Sequence, residues 1–338
     1  MGKRPPTIYT VADHAGVSIA TVSRVDRGHP SVAGPTAQRV KASMRTVGYR
    51  ANGAARALAT RRHEAIGLVF PHLSGPYYAG VILGLEEAAS ALGRNVVIVG
   101  THGRSEQLVS DLSRRVDGLV ITGRTVPDAL IVELQRSRLP VVVLARPAVG
   151  SSDVVRSENR QNAEALTRHL IEHGHRQIAF IGDPSSSPDA GERWDGFRAA
   201  HRNRTLPIPL RPVVSHFREE DGRAAALDAL RMVPRPTAVF CANDEIAMGV
   251  YAAAAELRIA IPGDLAVTGW DDIPAARFLA PGLTTVRQPL AEMGALAARL
   301  VLERGGGSRK KPVSVVLPTE IMIRSSCGCR SQGGTWER

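Results

Sequence analysis

From residue 65 onward the chain alternates short β-rich runs with helical patterns, and this alternation restricts the fold more than any other feature. The runs are 65–70, 95–100, 118–122 and 141–145, followed by 178–182, 213–217, 238–242 and 265–270. Helical patterns fit between them, for example at 78–92, 162–173, 194–202, 222–232 and 245–257. Continuous apolar strands separated by helices are buried on both faces and indicate parallel sheets. Two groups of four strands, broken by the polar stretch 148–160, predict two doubly wound lobes. Ligands in such sheets bind outside the carboxyl ends of the strands. A cleft between facing lobes is therefore the expected site.

The charge is as uneven as the patterning. Residues 1–62 contain eleven Lys or Arg against Asp13 and Asp26, a net +9, whereas the other 276 residues hold 32 bases and 30 acids. A nearly neutral body carrying a basic head suits a polyanion-binding module attached to a second function. A solvated basic tail is the bland alternative. Apolar patterning argues against it. Thr7 can cap a helix from Ile8 to Ala15, Gly16 stops that helix, and Ser18 can cap a second from Ile19 to Asp26. Two short helices joined by a Gly-containing turn make a helix-turn-helix. A third helix begins near Pro35, with Val40, Met44 and Val47 on one stripe and Gly48 at its end.

In such a unit the second helix enters the major groove with its N-terminal part. The residues there are Ile19, Ala20, Thr21, Ser23 and Arg24. Arg24 can donate two hydrogen bonds to guanine O6 and N7, and Ile19 and Ala20 offer apolar contact to a thymine methyl. Hydroxyls at Thr7, Ser18, Thr21 and Ser23 suit phosphate oxygens, which set register.

The string Thr-Ile-Tyr-Thr-Val-Ala-Asp-His-Ala-Gly-Val-Ser-Ile-Ala-Thr-Val-Ser-Arg, residues 7–24, resembles the opening of the lactose/galactose-repressor (LacI/GalR) family of bacterial transcriptional regulators. The match continues through Val32, Thr36, Val40, Gly48, Tyr49 and Asn52. The resemblance implies DNA contacts from Arg27, Tyr49 and Asn52. It also implies that the Ala-rich segment 50–60, too short to be a stable helix alone, is a hinge helix folding only on DNA. Leu58 then falls at the family's minor-groove wedge and Ala55 at its close-contact position.

The body resembles the same family through Gly75-Pro76-Tyr77-Tyr78, Arg115-Val116-Asp117-Gly118, Ala242-Asn243-Asp244 and Gly269-Trp270-Asp271-Asp272. The fold so implied is an N-terminal all-α helix-turn-helix domain followed by an α/β, periplasmic-binding-protein-like core of two doubly wound parallel-sheet lobes. The corresponding divisions are 1–49 for the DNA-binding domain, 50–63 for the hinge, 64–326 for the core and 327–338 for a tail. The first lobe takes about 64–160 and 290–317, and the second about 161–288 and 319–326. Position by position, the resemblance places effector contacts at Arg193, Asn243 and Asp271. Tyr77, Tyr78 and Phe217 are aromatic faces suited to stacking on a ring. An Arg/Asn/Asp set beside aromatic faces suits a polyol, since each hydroxyl both donates and accepts. Trp194 and Trp270 read as packing residues.

Other classes fare worse. No Walker-type loop, H-E-x-x-H pair or G-x-S-x-G elbow occurs, so an enzyme is not expected. Of three cysteines, Cys327 and Cys329 form a lone C-x-C with no His or Cys pair nearby in sequence, and His173 reads as a helix-end residue; neither metal nor cofactor is expected. No apolar run approaches the roughly 20 residues of a membrane span. Residues 1–7 lack the apolar core of a signal peptide. A cytoplasmic location is therefore expected, and an exported solute-binding protein of the same fold is disfavoured, as is a nucleoid-type DNA binder without effector control. The expected partners are double-stranded operator DNA, a small effector of the sugar class, and a second copy of the chain, since no leucine heptad follows Arg324 to build a larger assembly.

Overall fold

A computed structural model describes residues 6–26, 28–49, 63–71, 75–204 and 211–329. The chain divides into two compact units, Met1–His63 and Glu64–Arg338. In the first, helices α1 (Ile8–Ala15), α2 (Ile19–Asp26) and α3 (Gly34–Val47) follow the sequence pattern closely. The Thr10 hydroxyl accepts from the Thr7 backbone N–H at 3.2 Å, and Gly16 ends α1 in the left-handed region. Val11, Ala12, Ala15, Val22, Val25 and Val40 are buried together, with Ile8, Met44, Val47 and Tyr49 packed around them. This is one small core shared by three helices.

The second unit holds two lobes. The first is built on a six-stranded, wholly parallel sheet of β1 (Ala65–Phe70), β2 (Asn95–Gly100), β3 (Leu119–Thr122), β4 (Val141–Leu144), β5 (Asp153–Ser157) and a late strand Ser314–Leu317. The spatial order runs from the late strand through β5, β4, β3 and β1 to β2. Helices α4 (Pro76–Ala91), α5 (Ser105–Ser113) and α6 (Asp128–Arg136) connect its strands. The second lobe contains α7 (Arg160–Glu172), β6 (Ile178–Ile181), α8 (Pro188–Asn203), α9 (Glu219–Leu230), β7 (Ala238–Cys241), α10 (Asp244–Glu256) and β8 (Ala266–Thr268). Strands β6, β7 and β8 are parallel neighbours, and β9 (Thr285–Arg287) pairs antiparallel with a terminal strand, Glu320–Met322. Helix α11 (Leu290–Gly305), β10 (Ser314–Leu317) and β11 (Glu320–Met322) complete the chain order. An aromatic group of Phe180, Trp194, Phe197 and Phe240, with Phe180 and Phe240 stacked at 5.3 Å, fills this second core.

Three local expectations need correction. The stretch 148–160, expected as a polar break, contains β5. Asp153 is buried there because Arg309 donates to both of its oxygens at 2.7 and 2.9 Å and the Val313 N–H donates at 2.8 Å. A polar sequence therefore sits inside a sheet with its charge paired. Conversely, 213–217 is not a strand. Val213 makes a single bridge to Ile181, since Pro212 has no N–H for a ladder and the Ser215 hydroxyl turns back onto the His216 carbonyl at 2.8 Å. The tail expected from residue 327 also begins later: Cys327 is buried in the second lobe's core, with Cys329 packed against it.

Between the lobes the chain passes three times: from β5 to α7, from β9 to α11, and from β10 to β11. These crossings are bonded to one another. The Asn162 amide donates to Thr319 Oγ1 at 2.7 Å, the Thr319 hydroxyl donates to the Glu158 carbonyl at 3.1 Å, and the Ser157 hydroxyl meets Gln288 Oε1.

Candidate ligand cleft and nucleic-acid interface

The first unit presents the face expected of a groove-reading helix. Val22 and Val25 of α2 point into the core, so the 3.6-residue period leaves Ser18, Ile19, Ala20 and Arg24 exposed and Thr21 and Ser23 half-buried. Ser18 caps this helix, its Oγ accepting from the Thr21 N–H at 3.2 Å. Thr7 is exposed at the start of α1, and Tyr49 is half-buried against the core just after α3. Arg27, Asn52, Ala55 and Leu58 lie outside the described residues.

In the second unit a cleft of about 600 Å³ opens between the lobes. From the first lobe come Tyr77 and Tyr78, in the first turn of α4, with Thr122 at the end of β3 and Arg124 and Thr125 after it. From the second come Asp189 and Arg193 on α8, then Phe217, Asn243, Glu245 and Asp271. Asp189 and Arg193 are four residues apart, so one helix face carries both. Asn243 and Asp271 follow β7 and β8 in the chain, at the carboxyl ends of parallel strands as the topology requires.

Arg193 is buried and held from three sides. Its Nε donates to Asn159 Oδ1 at 2.8 Å, its Nη1 donates to the Ala242 carbonyl at 2.6 Å, and its guanidinium lies 4.7 Å from the centroid of the buried Trp270 ring. Nη2 makes no hydrogen bond among the described residues. Asp271 is buried with a φ of 121°, a conformation that side chains rarely adopt and that surrounding structure must enforce. Its Oδ1 accepts from Gln288 Nε2 at 2.6 Å. Asn243 is engaged internally: its Oδ1 caps α10 at the Ile246 N–H (2.9 Å) and its Nδ2 donates to the Phe217 carbonyl at 3.2 Å. It shapes the cleft wall and holds Phe217.

The electrostatics follow from burial. Removal from water pushes the Asp189 carboxyl up to about 6, despite the pull of Arg193 toward ionisation. Burial likewise raises Asp271, again against Arg193 and with the buried Asp244 adding to the rise. Tyr77 is raised by burial and then by Asp189, and Tyr78 is pushed up to about 12 by burial and then by Glu245. Both phenols are neutral and keep their protons for donation. Two buried cleft atoms, Tyr77 Oη and Asp189 Oδ1, have no hydrogen-bond partner among the described residues. A donor and an acceptor left in this way are what a hydroxylated ligand would satisfy.

The structure thus brings Tyr77, Tyr78, Arg193, Phe217, Asn243 and Asp271 to one cleft. Sequence reasoning missed Asp189, Arg124 and Glu245. Ser187-Pro188-Asp189 was a readable helix start, with Ser187 accepting from the Ala190 N–H, and it sets Asp189 one turn before Arg193. Nothing local marks Arg124, which reaches across the cleft mouth to the Ser185 carbonyl at 3.5 Å.

Comparison with known proteins agrees with both units. Residues 7–52 match the bacterial regulatory proteins of the lacI family, and residues 167–327 match a periplasmic binding protein-like domain. The HTH-type transcriptional repressor PurR of Photorhabdus laumondii is 33% identical over 328 residues, covering 95% of this chain and 96% of the relative. A transcriptional regulator CelR–cellobiose complex superposes with a TM-score of 0.73 at 32% identity, over 95% of this chain and 99% of that one. The Lac repressor dimer bound to operator and the anti-inducer ONPF superposes with a TM-score of 0.84 at 26% identity, over 96% and 99%. Members of the family are DNA-binding regulators rather than enzymes, and no helix among the described residues is long and apolar enough to cross a membrane. With a helix-turn-helix in one unit, a two-lobed cleft in the other and a third of its residues shared with PurR along nearly its full length, the chain belongs to the LacI family of transcriptional regulators.

Proposed function

We propose that this chain is a dimeric, cytoplasmic repressor that binds a near-palindromic operator and responds to a sugar in the interlobe cleft. The observation that carries the effector class is the pair of unpartnered buried atoms, Tyr77 Oη and Asp189 Oδ1, set beside the Arg193 guanidinium and the Tyr77 and Phe217 rings. A polyhydroxylated ring satisfies a donor and an acceptor at once and lays its apolar face on an aromatic one. Cellobiose, held in the CelR complex, has this chemistry. Arg193 and Asp271 anchor it, Tyr77, Tyr78 and Phe217 stack, and Asn243 holds the wall.

Toward DNA, Arg24 reads a guanine, Ile19 and Ala20 contact thymine methyls, and Thr7, Ser18, Thr21, Ser23, Arg27, Tyr49 and Asn52 engage the backbone. Segment 50–63 is the hinge, with Leu58 as minor-groove wedge and Ala55 in close contact beside it. Dimerisation suits the exposed apolar side chains of Leu83 on α4 and Val97 and Ile98 on the edge strand β2. Sugar in the cleft favours one lobe orientation and so alters whether the paired hinges fold on DNA. Effector and operator are then reciprocally coupled, by about 1–3 kcal/mol in typical cases.

The test is the melting temperature of the full chain against pentoses, hexoses, disaccharides, sugar phosphates, nucleosides and purines. A rise with one sugar class, lost in Arg193→Ala and Asp271→Asn, supports the reading. A rise with purines alone, or with no compound, overturns the sugar assignment.

A further inference from the structure

Remote from the cleft, the end of the described chain folds back onto the second lobe. It brings Cys327 and Cys329 against His169 and His173, about 160 residues earlier in sequence. The two histidines are four apart on α7 and its cap, so they share one face, with ring centroids 4.4 Å apart. The two cysteines flank Gly328, whose φ of 91° is open to glycine at little steric cost, and the turn it makes directs both sulfurs to the same side.

Three of the six edges of a four-ligand shell have the length such a shell needs, and His173 joins the other three groups through its contact with Cys329. His169 Nε2 lies 3.3 Å from Cys327 Sγ and 3.5 Å from Cys329 Sγ, and His173 Nε2 lies 3.3 Å from Cys329 Sγ. Tetrahedral zinc with Zn–S of about 2.3 Å and Zn–N of about 2.05 Å requires S···N edges of roughly 3.5 Å. All three edges fall close to that value. His169 Nε2, Cys327 Sγ and Cys329 Sγ also lie within 4.8 Å of one another. Two ligands are buried, His169 and Cys327, while Cys329 is half-exposed and His173 exposed, which leaves a route for an ion to enter. Behind the sulfur, the Thr284 hydroxyl lies 3.2 Å from Cys327 Sγ and can donate to a thiolate there.

We propose that His169, His173, Cys327 and Cys329 form a Cys2His2 site for a zinc-type divalent cation. Two thiolates and two imidazoles are a donor set that selects a borderline-soft, tetrahedral ion over magnesium or calcium. Its role is structural. It fastens the last described turn of the chain to α7, the helix that begins directly after the first crossing between lobes. The separation along the chain is what hides it: the C-x-C and the His-x-x-x-His are each incomplete as motifs, and only the folded second lobe joins them.

The test uses the full chain purified without chelator. Metal analysis should return one zinc per chain. After removal of the ion, cobalt(II) titration should give a thiolate-to-cobalt charge-transfer band and intense visible bands of a tetrahedral centre, saturating at one equivalent. Chelation should lower the melting temperature, and zinc should restore it. Because Cys327 is buried and its loss could unfold the lobe, Cys329→Ser and His173→Gln carry the comparison. Each should weaken cobalt binding roughly tenfold or more, the loss seen even for an outer partner of a metal site, while far-ultraviolet circular dichroism stays unchanged. Absence of a thiolate band, variants that bind cobalt like the parent, or a Cys327–Cys329 disulfide in the freshly purified protein would each overturn the proposal.

Discussion

Gln288 donates from Nε2 to Asp271 Oδ1 over 2.6 Å, while its Oε1 meets the hydroxyl of Ser157. Asp271 lines the cleft, and Ser157 and Gln288 lie at two of the three crossings between lobes. One buried amide therefore connects the cleft to the segments about which the lobes would move. Replacing Gln288 by Ala leaves the Asp271 carboxyl and the Ser157 hydroxyl without that partner, at a cost of about 1–3 kcal/mol in stability. The effector's influence on operator affinity should fall with it. Melting measures the first effect, and operator affinity with and without effector measures the second; an unchanged affinity ratio would remove Gln288 from the coupling.

Asp189 makes the pH dependence testable. Its folded-state pKa of about 6 exceeds the value of an exposed carboxylate. The folded protein therefore holds this proton more tightly than the unfolded chain. Below about pH 4 both states are protonated and no penalty exists; as pH rises from about 4 through 6, the folded state bears a growing cost for ionising a buried group. Asp189→Asn should thus raise the melting temperature at pH 8 and change it little at pH 4, with the difference on the order of 2–3 kcal/mol. If Asp189 Oδ1 accepts from a ligand hydroxyl, Asp189→Ala, which removes that oxygen, loses effector response at every pH, whereas Asp189→Asn keeps an amide oxygen that still accepts.

Arg24 is exposed on α2, where the proposed function has it read a guanine. Arg24→Ala should cost about 1–3 kcal/mol on operator and relax selectivity at one base pair, because a bidentate contact to guanine is lost. Its effect on bulk DNA should be no more than that of one phosphate contact. Titration of operator and a scrambled duplex at the same salt concentration separates the two, and an equal loss on both would assign Arg24 to the backbone.

A fourth prediction concerns the first lobe. Helices α4 and α11 pack so closely that a Cβ on Gly84 would sit 1.8 Å from the Ala291 carbonyl oxygen, and one on Gly294 would sit 2.1 Å from that of Val81. Neither obstacle is a movable side-chain end. Gly84→Ala or Gly294→Ala must separate the helices, with a loss of at least about 1–3 kcal/mol. Equilibrium unfolding in urea reads it directly; wild-type stability in both variants would contradict the packing.

Much of this protein was legible along the chain because the relevant physics is local. Gly16 and Ser18 punctuate α1 and α2, and Val22 and Val25 fix which face of α2 stays exposed. Continuous apolar runs such as Ala65–Phe70 and Val141–Leu144 declare buried parallel strands. Positions at the ends of such strands, Asn243 and Asp271 among them, follow from topology and the family resemblance together.

What only the tertiary structure decided are relations between distant residues. Asp153 can lie buried within a strand because Arg309, more than 150 positions away, pairs with its carboxylate. Asp189 becomes a candidate site residue only where burial removes water from its oxygen. Gln288 has meaning only between Asp271 and Ser157, and Cys327 and Cys329 meet His169 and His173 only after the second lobe has closed. Periodicity and capping depend on neighbours in sequence and can be read from it. Charge pairing, desolvation and coordination depend on neighbours in space, and no run of letters contains them.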